Sequence, residues 1–312
     1  DGVESGSGGE TVETGADWAT STIRSWLNGY GPAQNNRGID YSEKPADSFI
    51  GTAFSEKEQA VLATALLDNG AGDSTGGEAG STGGESGGTP ASTEDLVYLL
   101  SMDEAANADF GFANNSSRRA ENTAYTAAGG AIEGFEMNPE DETDNWWLRS
   151  AGTKQDFAAV VSEYGEVQQD GYHAGYEHTA VRPAVNVDKA SVLFTSSSTF
   201  DGGSKAGTVG TISPVKSFAS GTAWKLTLLD DERGDFAAAS VARGDKLTIT
   251  YSNAKTGDNE FISALIADGT GAYTHYGRIK AIADASDAAG TAEVTLPEDP
   301  ADDSVLYIFN EQ

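Results

Sequence analysis

The sequence predicts a longer α+β domain followed by a shorter all-β sandwich. Its 312 residues correspond to about two domains of roughly 100–200 residues each. Helical patterns occur only in the first half of the chain, where a series of strand-like runs follows them; this order is typical of α+β proteins. Beyond about residue 200, short strand-like runs alternate with turns and no helical period competes with them.

Composition excludes several classes of partner and chemistry. The formal net charge of −30 repels nucleic-acid phosphates and anionic lipid head groups, and it favours divalent cations and basic proteins. The chain contains no cysteine, which removes disulfides, thiolate metal sites and thiol nucleophiles together. No apolar run reaches the length of about 18 residues that a membrane span needs. We therefore expect a protein that binds no nucleic acid and is not inserted in a membrane.

The N-terminal segment predicts a flexible lead and then a helix. Residues 1–16 are rich in glycine, serine and acids, and we expect them to be a flexible acidic lead. A helix is predicted at about 18–29, with Asp17 or Thr20 as its cap. Its buried face has the i, i+3, i+4 spacing and consists of Ile23, Trp26 and Leu27.

A second helix is predicted at about 56–67, after a turn-rich loop. Ser55 and Glu58 have the spacing of a capping box, in which each side chain pairs with a backbone N–H that the helix leaves free. The inward face of this helix is predicted to consist of Val61, Leu62, Ala65 and Leu66.

Residues 68–90 are a low-complexity segment. They carry too little apolar surface to offset the entropy that ordering would cost, so we predict a disordered insertion. An alternative is that Asp68, Asn69 and Asp73 bind calcium. The segment lacks the closing glutamate of a known calcium loop.

Strand signals dominate the rest of the first domain. A buried strand is predicted at 95–101, and Ser101 with Glu104 then caps a short helix. A further short helix is predicted at 121–130, where a glycine pair ends it. An antiparallel meander is predicted from four runs, at 145–150, 157–163, 166–171 and 179–187, with a hairpin turn at 163–165.

The C-terminal part has the pattern of an immunoglobulin-like sandwich. After a linker near 196–207, strand-like runs recur over 205–312, and turns separate them. These runs are "AWKLTLLD", "DKLTITYS", "FISALIAD", "THYGRIKAIA", "AEVTLPED" and "SVLYIFNE".

Six motifs occur in order in the first domain: "TSTIRSWLNGY", "FSEKEQAVL", "DLVYLLSMDEA", "WWLRSAG", "GEVQQDGY" and "AVRPAVNV". Together they resemble a domain of unknown function that is common in large secreted and surface proteins of gut bacteria. Its strand pair also resembles the core of the formylglycine-generating, sulfatase-modifying fold, a relative of the C-type lectin fold. The resemblance covers about 18–190 and implies a lectin-like α+β domain at 17–195, with 146–149 and 181–185 in one sheet.

This sequence departs from the family pattern at two points. Ala151 stands where the family usually has proline, and only the short acidic lead precedes the first helix, where relatives have further strands. Formylglycine-generating enzymes use active-site cysteines to bind copper and activate oxygen. A chain without cysteine cannot perform that chemistry, so the resemblance implies the scaffold and not the enzyme. The C-terminal part is similar to the β-sandwich repeats that follow such domains.

The stretch "DNWWLRSAG" at 144–152 carries the main candidate site. On a strand, Trp146 and Leu148 share one face and Trp147 and Arg149 share the other. The structural interpretation gives Trp146 to the core and lets Arg149 and Arg182 seek an acid or backbone carbonyls. The alternative is a sugar-stacking platform. Its ligand-binding residues would be Trp147, Arg149, Asp144 and Asn145, and its calcium ligands Asp141, Glu142 and Asp144.

Other constellations are weaker. His173 and His178 have no third partner in their domain, and no nucleophile elbow or phosphate loop occurs. Two Arg-Gly-Asp tripeptides begin at Arg233 and Arg243; three-residue matches are common by chance, and only the first is predicted to lie in an exposed turn.

We therefore expect a non-catalytic binding or scaffolding module of a bacterial surface protein, displayed on a β-sandwich stalk. Its location would be extracellular or cell-wall attached, and the chain would be a fragment of a longer, processed protein. It would use no cofactor, except calcium under one alternative, and its partner would be a surface glycan or a host or bacterial protein. The alternatives are a calcium-dependent glycan-binding adhesin and a carboxylate-based glycoside hydrolase. The hydrolase would use carboxylates among Glu140, Asp141, Glu142 and Asp144.

Overall fold

The chain folds into two compact units. A computed structural model describes residues 16–69, 92–123, 143–154, 156–176, 179–198, 209–215, 223–297 and 303–312. The units are Asp1–Asp188 and Lys189–Gln312. Regular structure is mostly β, in several small sheets, with few and short helices. Almost all of the flexible lead predicted at 1–16 and of the insertion predicted at 68–90, and most of the helix predicted at 121–130, lie outside the described residues.

The first unit mixes short helices with small antiparallel sheets. Its helices are α1 (Thr22–Asn28), α2 (Phe49–Ala53), α3 (Glu56–Gln59), α4 (Met102–Ala105) and α5 (Asn115–Arg118). Its 3-10 helices are Trp18–Thr20, Pro32–Gln34, Pro45–Asp47 and Ala108–Phe110. Its strands are β1 (Leu62–Ala63), β2 (Ala65–Asp68), β3 (Ser92–Asp95), β4 (Val97–Tyr98), β5 (Trp146–Ala151), β6 (Phe157–Val161), β7 (Val167–His173) and β8 (Ala184–Val187). They form the sheets β1-β8-β4, β2-β3 and β5-β6-β7.

The helix predicted at 18–29 is interrupted near its start. Asp17 caps a 3-10 turn, Trp18–Thr20, by accepting a hydrogen bond from the Ala19 N–H at 3.1 Å. Ser21 is extended, and its hydroxyl caps α1 by accepting from the Arg24 N–H at 3.2 Å. Gly29 ends α1 in the left-handed conformation, with φ 67°, which glycine adopts without a steric penalty.

The second predicted helix, at 56–67, is wrong beyond its first turn. The capping box of Ser55 and Glu58 is present, but α3 ends at Gln59. The chain then continues as β1 and β2, and in β2 burial alternates, so that Leu67 is buried while Leu66 is 72% exposed. Such alternation is the period of a strand. A single helical turn is marginal by itself, so pairing of β1 with β8 outweighs local helix propensity.

The predicted meander is present for three of its four strands. β5, β6 and β7 pair in order and antiparallel, and Gly165, with φ 81°, closes the hairpin between β6 and β7. The fourth run forms β8 in a different sheet, so the expectation that 146–149 and 181–185 share a sheet is wrong. In the described backbone, β5 meets this part of the chain through a parallel bridge between Trp146 and Ala180, one residue before the second segment. Pro183 offers no N–H to continue a ladder, and the chain leaves β5 there.

The two faces of β5 and β6 bury two different clusters. Trp147 and Val160 pack in a cluster with Leu27 of α1 and with the strands around β4. Trp146 and Leu148 belong to a second cluster, which also contains Ala105 of α4. The predicted division of β5 into two faces is therefore confirmed.

A buried carboxylate joins the N-terminal segment to β3. Asp95 is 1% exposed. Its two oxygens accept hydrogen bonds from Trp18 Nε1 at 3.0 Å, from Arg24 Nε at 2.8 and 3.0 Å, and from the Tyr30 hydroxyl at 3.1 Å. Thr93 donates to the same carboxylate at 3.0 Å. Burial, and then the negative charge of Asp95, raise the pKa of Tyr30 to about 12, so this hydroxyl stays a donor.

Asn28 makes a second connection between α1 and the sheet. Its side-chain oxygen accepts from the backbone N–H groups of Leu96 and Val97, at 3.0 and 2.9 Å, and its amide donates to the Val97 carbonyl at 2.8 Å. The side chain thus pairs with the backbone between β3 and β4 as a neighbouring strand would.

The second unit contains strands and 3-10 turns in the part of it that the structure describes. Its strands are β9 (Val192–Ser198), β10 (Ser213–Pro214), β11 (Ala223–Leu228), β12 (Ala237–Arg243), β13 (Lys246–Ser252), β14 (Phe261–Ala267), β15 (Tyr273–Ala281), β16 (Gly290–Thr295) and β17 (Val305–Glu311). Its 3-10 helices are Lys189–Ser191, Asp231–Arg233 and Ala285–Ala288. The sheets are β10-β15-β14-β17, β12-β13-β16 and β9-β11, all antiparallel.

The core of the second unit lies on both faces of the four-stranded sheet. On one face, Ile262 of β14 and Ile279 of β15 pack in a cluster with Ile249 of β13. On the other face, Leu265 and Tyr276 pack against Phe194 of β9. Because β9 belongs to this unit, residues 189–195 group with the second unit and not with the domain for which 17–195 was predicted.

Polar side chains tie strand ends of the second unit together. Arg233 donates to both carboxylate oxygens of Glu260, at 2.6 and 2.8 Å, and to Asn310 at 2.9 Å. This arginine belongs to the first Arg-Gly-Asp tripeptide, for which an exposed turn was predicted. The turn is exposed at Gly234 and Asp235, as predicted, whereas the Arg233 side chain is 14% exposed and is engaged in these contacts.

We predict that Asp95→Asn destabilises the first unit by about 3–5 kcal/mol, because it leaves the Arg24 guanidinium without its buried counter-charge. Trp18, Trp26, Trp146 and Trp147 lie in this unit and Trp224 in the other. Tryptophan fluorescence during urea unfolding therefore reports chiefly on the first unit. Glu94→Gln is the matched control, since Glu94 is exposed on the same strand; it should change stability by less than about 0.5 kcal/mol. Equal midpoints for both variants would contradict the role of Asp95.

Candidate functional site

A cleft of about 80 Å³ lies between the N-terminal segment and β5. We call it the β5 cleft. Its apolar lining comes from distant parts of the chain and includes Trp18, Leu99, Trp147, Leu148, Ala158 and Ala174. Its polar lining consists of Asp17, Ser21, Asn36 and Arg149. An apolar floor with a few polar groups at its edge is the composition typical of small-molecule sites.

Arg149 is held rigidly at the edge of this cleft. Its guanidinium donates to both carboxylate oxygens of Glu104 and to the Leu99 carbonyl at 2.9 Å. Glu104 is the third residue of α4, where it also accepts from the Ser101 N–H at 2.8 Å. The arginine side chain is 7% exposed, and its buried Nε has no hydrogen-bond partner among the residues that the structure describes. The acid and the carbonyl that the sequence led us to expect for Arg149 are therefore both present.

Trp146 lies on the opposite face of β5 from the cleft, and Arg182 lies over its ring. Trp146 is 1% exposed, and its Nε1 donates to the Arg118 carbonyl at 3.1 Å. Arg182 donates to the same carbonyl at 3.0 Å, and its guanidinium carbon lies 4.9 Å from the centre of the Trp146 ring. Burial lowers the pKa of Arg182. The two residues form a cation–π pair within the body of the unit.

Asp144 and Asn145 do not line the cleft. Asp144 is 7% exposed and accepts from the side-chain amide of Asn122 at 3.1 Å. Asn145 accepts from the Glu163 N–H at 3.1 Å, which ties the start of β5 to the β6–β7 hairpin. Asp141 and Glu142, the other predicted calcium ligands, lie outside the described residues.

Of the predicted ligand-site residues that the structure describes, Trp147 and Arg149 line the cleft, and Asp144 and Asn145 do not. Trp147 is 9% exposed, so its ring forms part of the wall and does not stand free as a stacking platform. Sequence reasoning did not find Trp18, Ser21, Asn36 or Leu99, and it considered Asp17 only as a cap. No local pattern marks these residues, because only the fold brings them beside β5.

The remaining candidates do not assemble into a metal-binding group in the part of the chain that the structure describes. His173 is exposed, and its Nδ1 accepts from the Gly175 N–H at 3.1 Å. His178 and Glu140 lie outside the described residues. The described residues contain no group of three or more His, Cys, Asp or Glu side chains placed to hold a metal ion. None of the helices within them has the length and apolar character needed to cross a bilayer.

Residues 3–189 match a domain family of unknown function, DUF6273. This match covers more than half of the chain, so the chain belongs to that family. No curated protein and no solved structure matches it. The domain of unknown function that the ordered motifs led us to expect is therefore supported by an independent comparison.

We predict that Trp146→Ala costs about 3–5 kcal/mol of stability, because it leaves a large cavity and removes the ring under Arg182. Phe110→Ala is the control, since Phe110 is 57% exposed and its loss should change stability by less than about 0.5 kcal/mol. Urea unfolding followed by circular dichroism measures both. If both variants unfolded at the same urea concentration as the parent, Trp146 would not belong to the core.

Proposed function

We propose that this chain is a non-catalytic binding module of an extracellular bacterial surface protein, and that the β5 cleft binds a glycan. The observation that carries the proposal is the juxtaposition of Trp18 and Trp147 with Asp17, Asn36 and Arg149 around one cleft. Sugar rings present apolar C–H faces and polar hydroxyls together. Apolar walls with a few donors and acceptors at the edge suit such a ligand.

The polar groups of the cleft offer complementary hydrogen-bonding chemistry. Asp17 and Ser21 have oxygen acceptors, Asn36 has both an acceptor and donors, and Arg149 has an Nε–H that no described residue accepts. Arg149 is already oriented by Glu104 and Leu99. A side chain that is fixed before binding loses little entropy when a ligand arrives.

The commitment of acidic side chains to the fold supports a non-catalytic role. A glycoside hydrolase needs two carboxyl groups facing its substrate. Asp95 is enclosed by four donors, Glu104 is paired with Arg149, and Asp144 is buried against Asn122. These carboxylates serve the structure.

We also propose a relationship of the first unit to the C-type-lectin and sulfatase-modifying fold, and of the second unit to immunoglobulin-like sandwiches. The first proposal is supported by the β5-β6-β7 meander after an N-terminal helix. The second is supported by antiparallel sheets that enclose alternating apolar residues, as in β13. Under this proposal the second unit is a stalk that displays the first.

The calcium-dependent form of the proposal depends on Asp144 with Asp141 and Glu142. Calcium prefers several oxygen ligands, including carboxylates. Asp144 keeps oxygen lone pairs beside its contacts with Asn122 and the Asn145 N–H. Calcium dependence of binding is therefore a variable in the experiment below.

We predict that the chain binds glycans on an array and that Ala174→Trp reduces this binding at least about tenfold. Ala174 is a half-buried lining residue, and a larger side chain there would fill the cleft. A loss of this size corresponds to about 1.4 kcal/mol of binding free energy. Each variant is applied with calcium and with a chelator, and its circular dichroism spectrum verifies that it folds.

Ala33→Trp is the matched control, since Ala33 is exposed and does not line the cleft. It should bind as the parent does. If the parent bound no glycan, or if Ala174→Trp bound as well as Ala33→Trp, the cleft would not be the binding site. If the chain hydrolysed the glycans and released new reducing ends, and Asp144→Asn abolished this release, the non-catalytic proposal would be wrong.

A further inference from the structure

One strand of the second unit has all seven residues exposed. This strand, β12, is an edge of the β12-β13-β16 sheet, and Val241 within it is 58% exposed. Residues opposite one another in a ladder share a face, so Ala238, Ser240 and Ala242 lie on the same side as Tyr251, Ile249 and Leu247 of β13. Those three β13 residues are buried and their β12 neighbours are not. Within the described residues, the sheet therefore extends one strand beyond its core.

The hydrogen-bonding groups on the outer edge of β12 follow from its hairpin. Arg243 pairs with Lys246 across a two-residue turn, and Gly244 has the positive φ of 63° that such turns need. In a two-residue hairpin the flanking pair is hydrogen-bonded, and the pairs then alternate. The odd-numbered residues of β12 thus bond to β13. The even-numbered residues direct their N–H and C=O groups away from β13, to the open edge.

An open edge of this length and composition is suited to pairing with another strand. Natural edges are usually blocked by charges, proline or a bulge. From Phe236 to Ala242 the chain has no charged residue and no proline, although its net charge is −30. The pairing of β12 with β13 runs without a register shift, so no bulge turns the edge aside.

We propose that β12 pairs antiparallel with β12 of a second copy of this chain, with Ala239 opposite its own counterpart. This register places the even-numbered residues of both copies in hydrogen-bonded pairs, as the open edge requires. It also brings Asp235, just ahead of the strand, to the level of Arg243 of the second copy. The same pairing recurs at the other end by symmetry, because a two-fold interface is self-complementary.

Charge selects this register among those that the hydrogen bonds permit. A shift by one residue on each strand in one direction would bring Asp235 opposite Asp245 of the second copy. A shift in the other direction would carry Arg243 past Asp235, to the level of the 3-10 helix Asp231–Arg233, and would lose the pair of opposite charges. Of these three registers, the one centred on Ala239 therefore sets opposite charges together.

The interface is expected to be weak by itself. Two paired edge strands bury less surface than the roughly 1,200–2,000 Å² of stable complexes. Association should therefore be seen at high concentration, as a rise of the average mass above the 32.3 kDa of one chain in sedimentation equilibrium.

A single cysteine tests the register directly, because the natural chain has none. Ala239→Cys would place two sulfurs across the two-fold axis at a non-hydrogen-bonded pair, where Cβ atoms approach closely enough for a disulfide. Thr291→Cys is the control, since Thr291 is exposed on β16, the other edge strand of this sheet. We expect Ala239→Cys to form covalent dimers in mild oxidant at least about tenfold faster, because pairing raises the effective concentration of the thiols.

A charge exchange provides the second test. Arg243→Glu alone and Asp235→Arg alone should each lower the association constant several-fold, and the double variant should restore it. Both substitutions are at exposed positions, so the fold should be unaffected. Equal rates for the two cysteine variants, preferential cross-linking of Ala239→Cys with Thr291→Cys, or a double variant as weak as its parents would each overturn the proposal. A parent that stays monomeric at its solubility limit would do the same.

Discussion

The first unit depends on one buried carboxylate. Asp95 is almost fully enclosed, and the indole of Trp18, the guanidinium of Arg24 and the hydroxyl of Tyr30 all donate to it. An isolated charge at this depth would be strongly destabilising, and it is tolerated because four side chains, one of them a guanidinium, donate to it. The consequence is positional. The hydrogen bond from the Trp18 indole N–H to Asp95 fixes the position of the 3-10 turn that carries Trp18. That turn forms one side of the β5 cleft.

The other side of the cleft is set by β5, which serves two clusters at once. Trp146 and Leu148 fill the core beneath the strand, and Trp147 and Arg149 face the cleft. Because neighbouring residues on a strand point to opposite faces, the paired tryptophans are neither both core nor both platform. The capping box of Ser101 and Glu104 extends this arrangement. The Glu104 carboxylate accepts from the Ser101 N–H at the start of α4, and it also accepts from the Arg149 guanidinium. The site and the fold therefore share the same ion pairs.

The two larger sheets of the second unit differ in how far they are covered. Its four-stranded sheet is covered on both faces, by the cluster around Ile249 and by Phe194. The sheet that contains β12 is not covered to its edge, and alanines occupy the uncovered strand. Small side chains limit the apolar surface that this strand exposes to water, yet leave its backbone open to a partner. Association through β12 would extend the sheet without changing the fold of either copy.

Local chemistry alone determined a definite part of this protein. The capping boxes at Ser55 and Ser101, the glycine that closes the β6–β7 hairpin and the two faces of β5 all follow from neighbours within a few residues. The absence of cysteine excluded one enzyme mechanism without any structure. The strand β12 was not predicted, because alanine has low strand propensity and its residues show no alternation of burial.

Only the tertiary structure decided the rest. Residues 62–68 have the composition of a helix but form strands, because other strands offer them backbone partners. β1 pairs with β8, more than a hundred positions further along the chain, and β2 pairs with β3, some thirty positions further along. Asp95 shows no sign in the sequence that four donors enclose it. The cleft likewise joins Asp17 and Asn36 to Trp147 and Arg149 across gaps that no period spans. These contacts join residues that are far apart in the sequence. A pattern of neighbouring residues extends over only a few positions, so it cannot predict them.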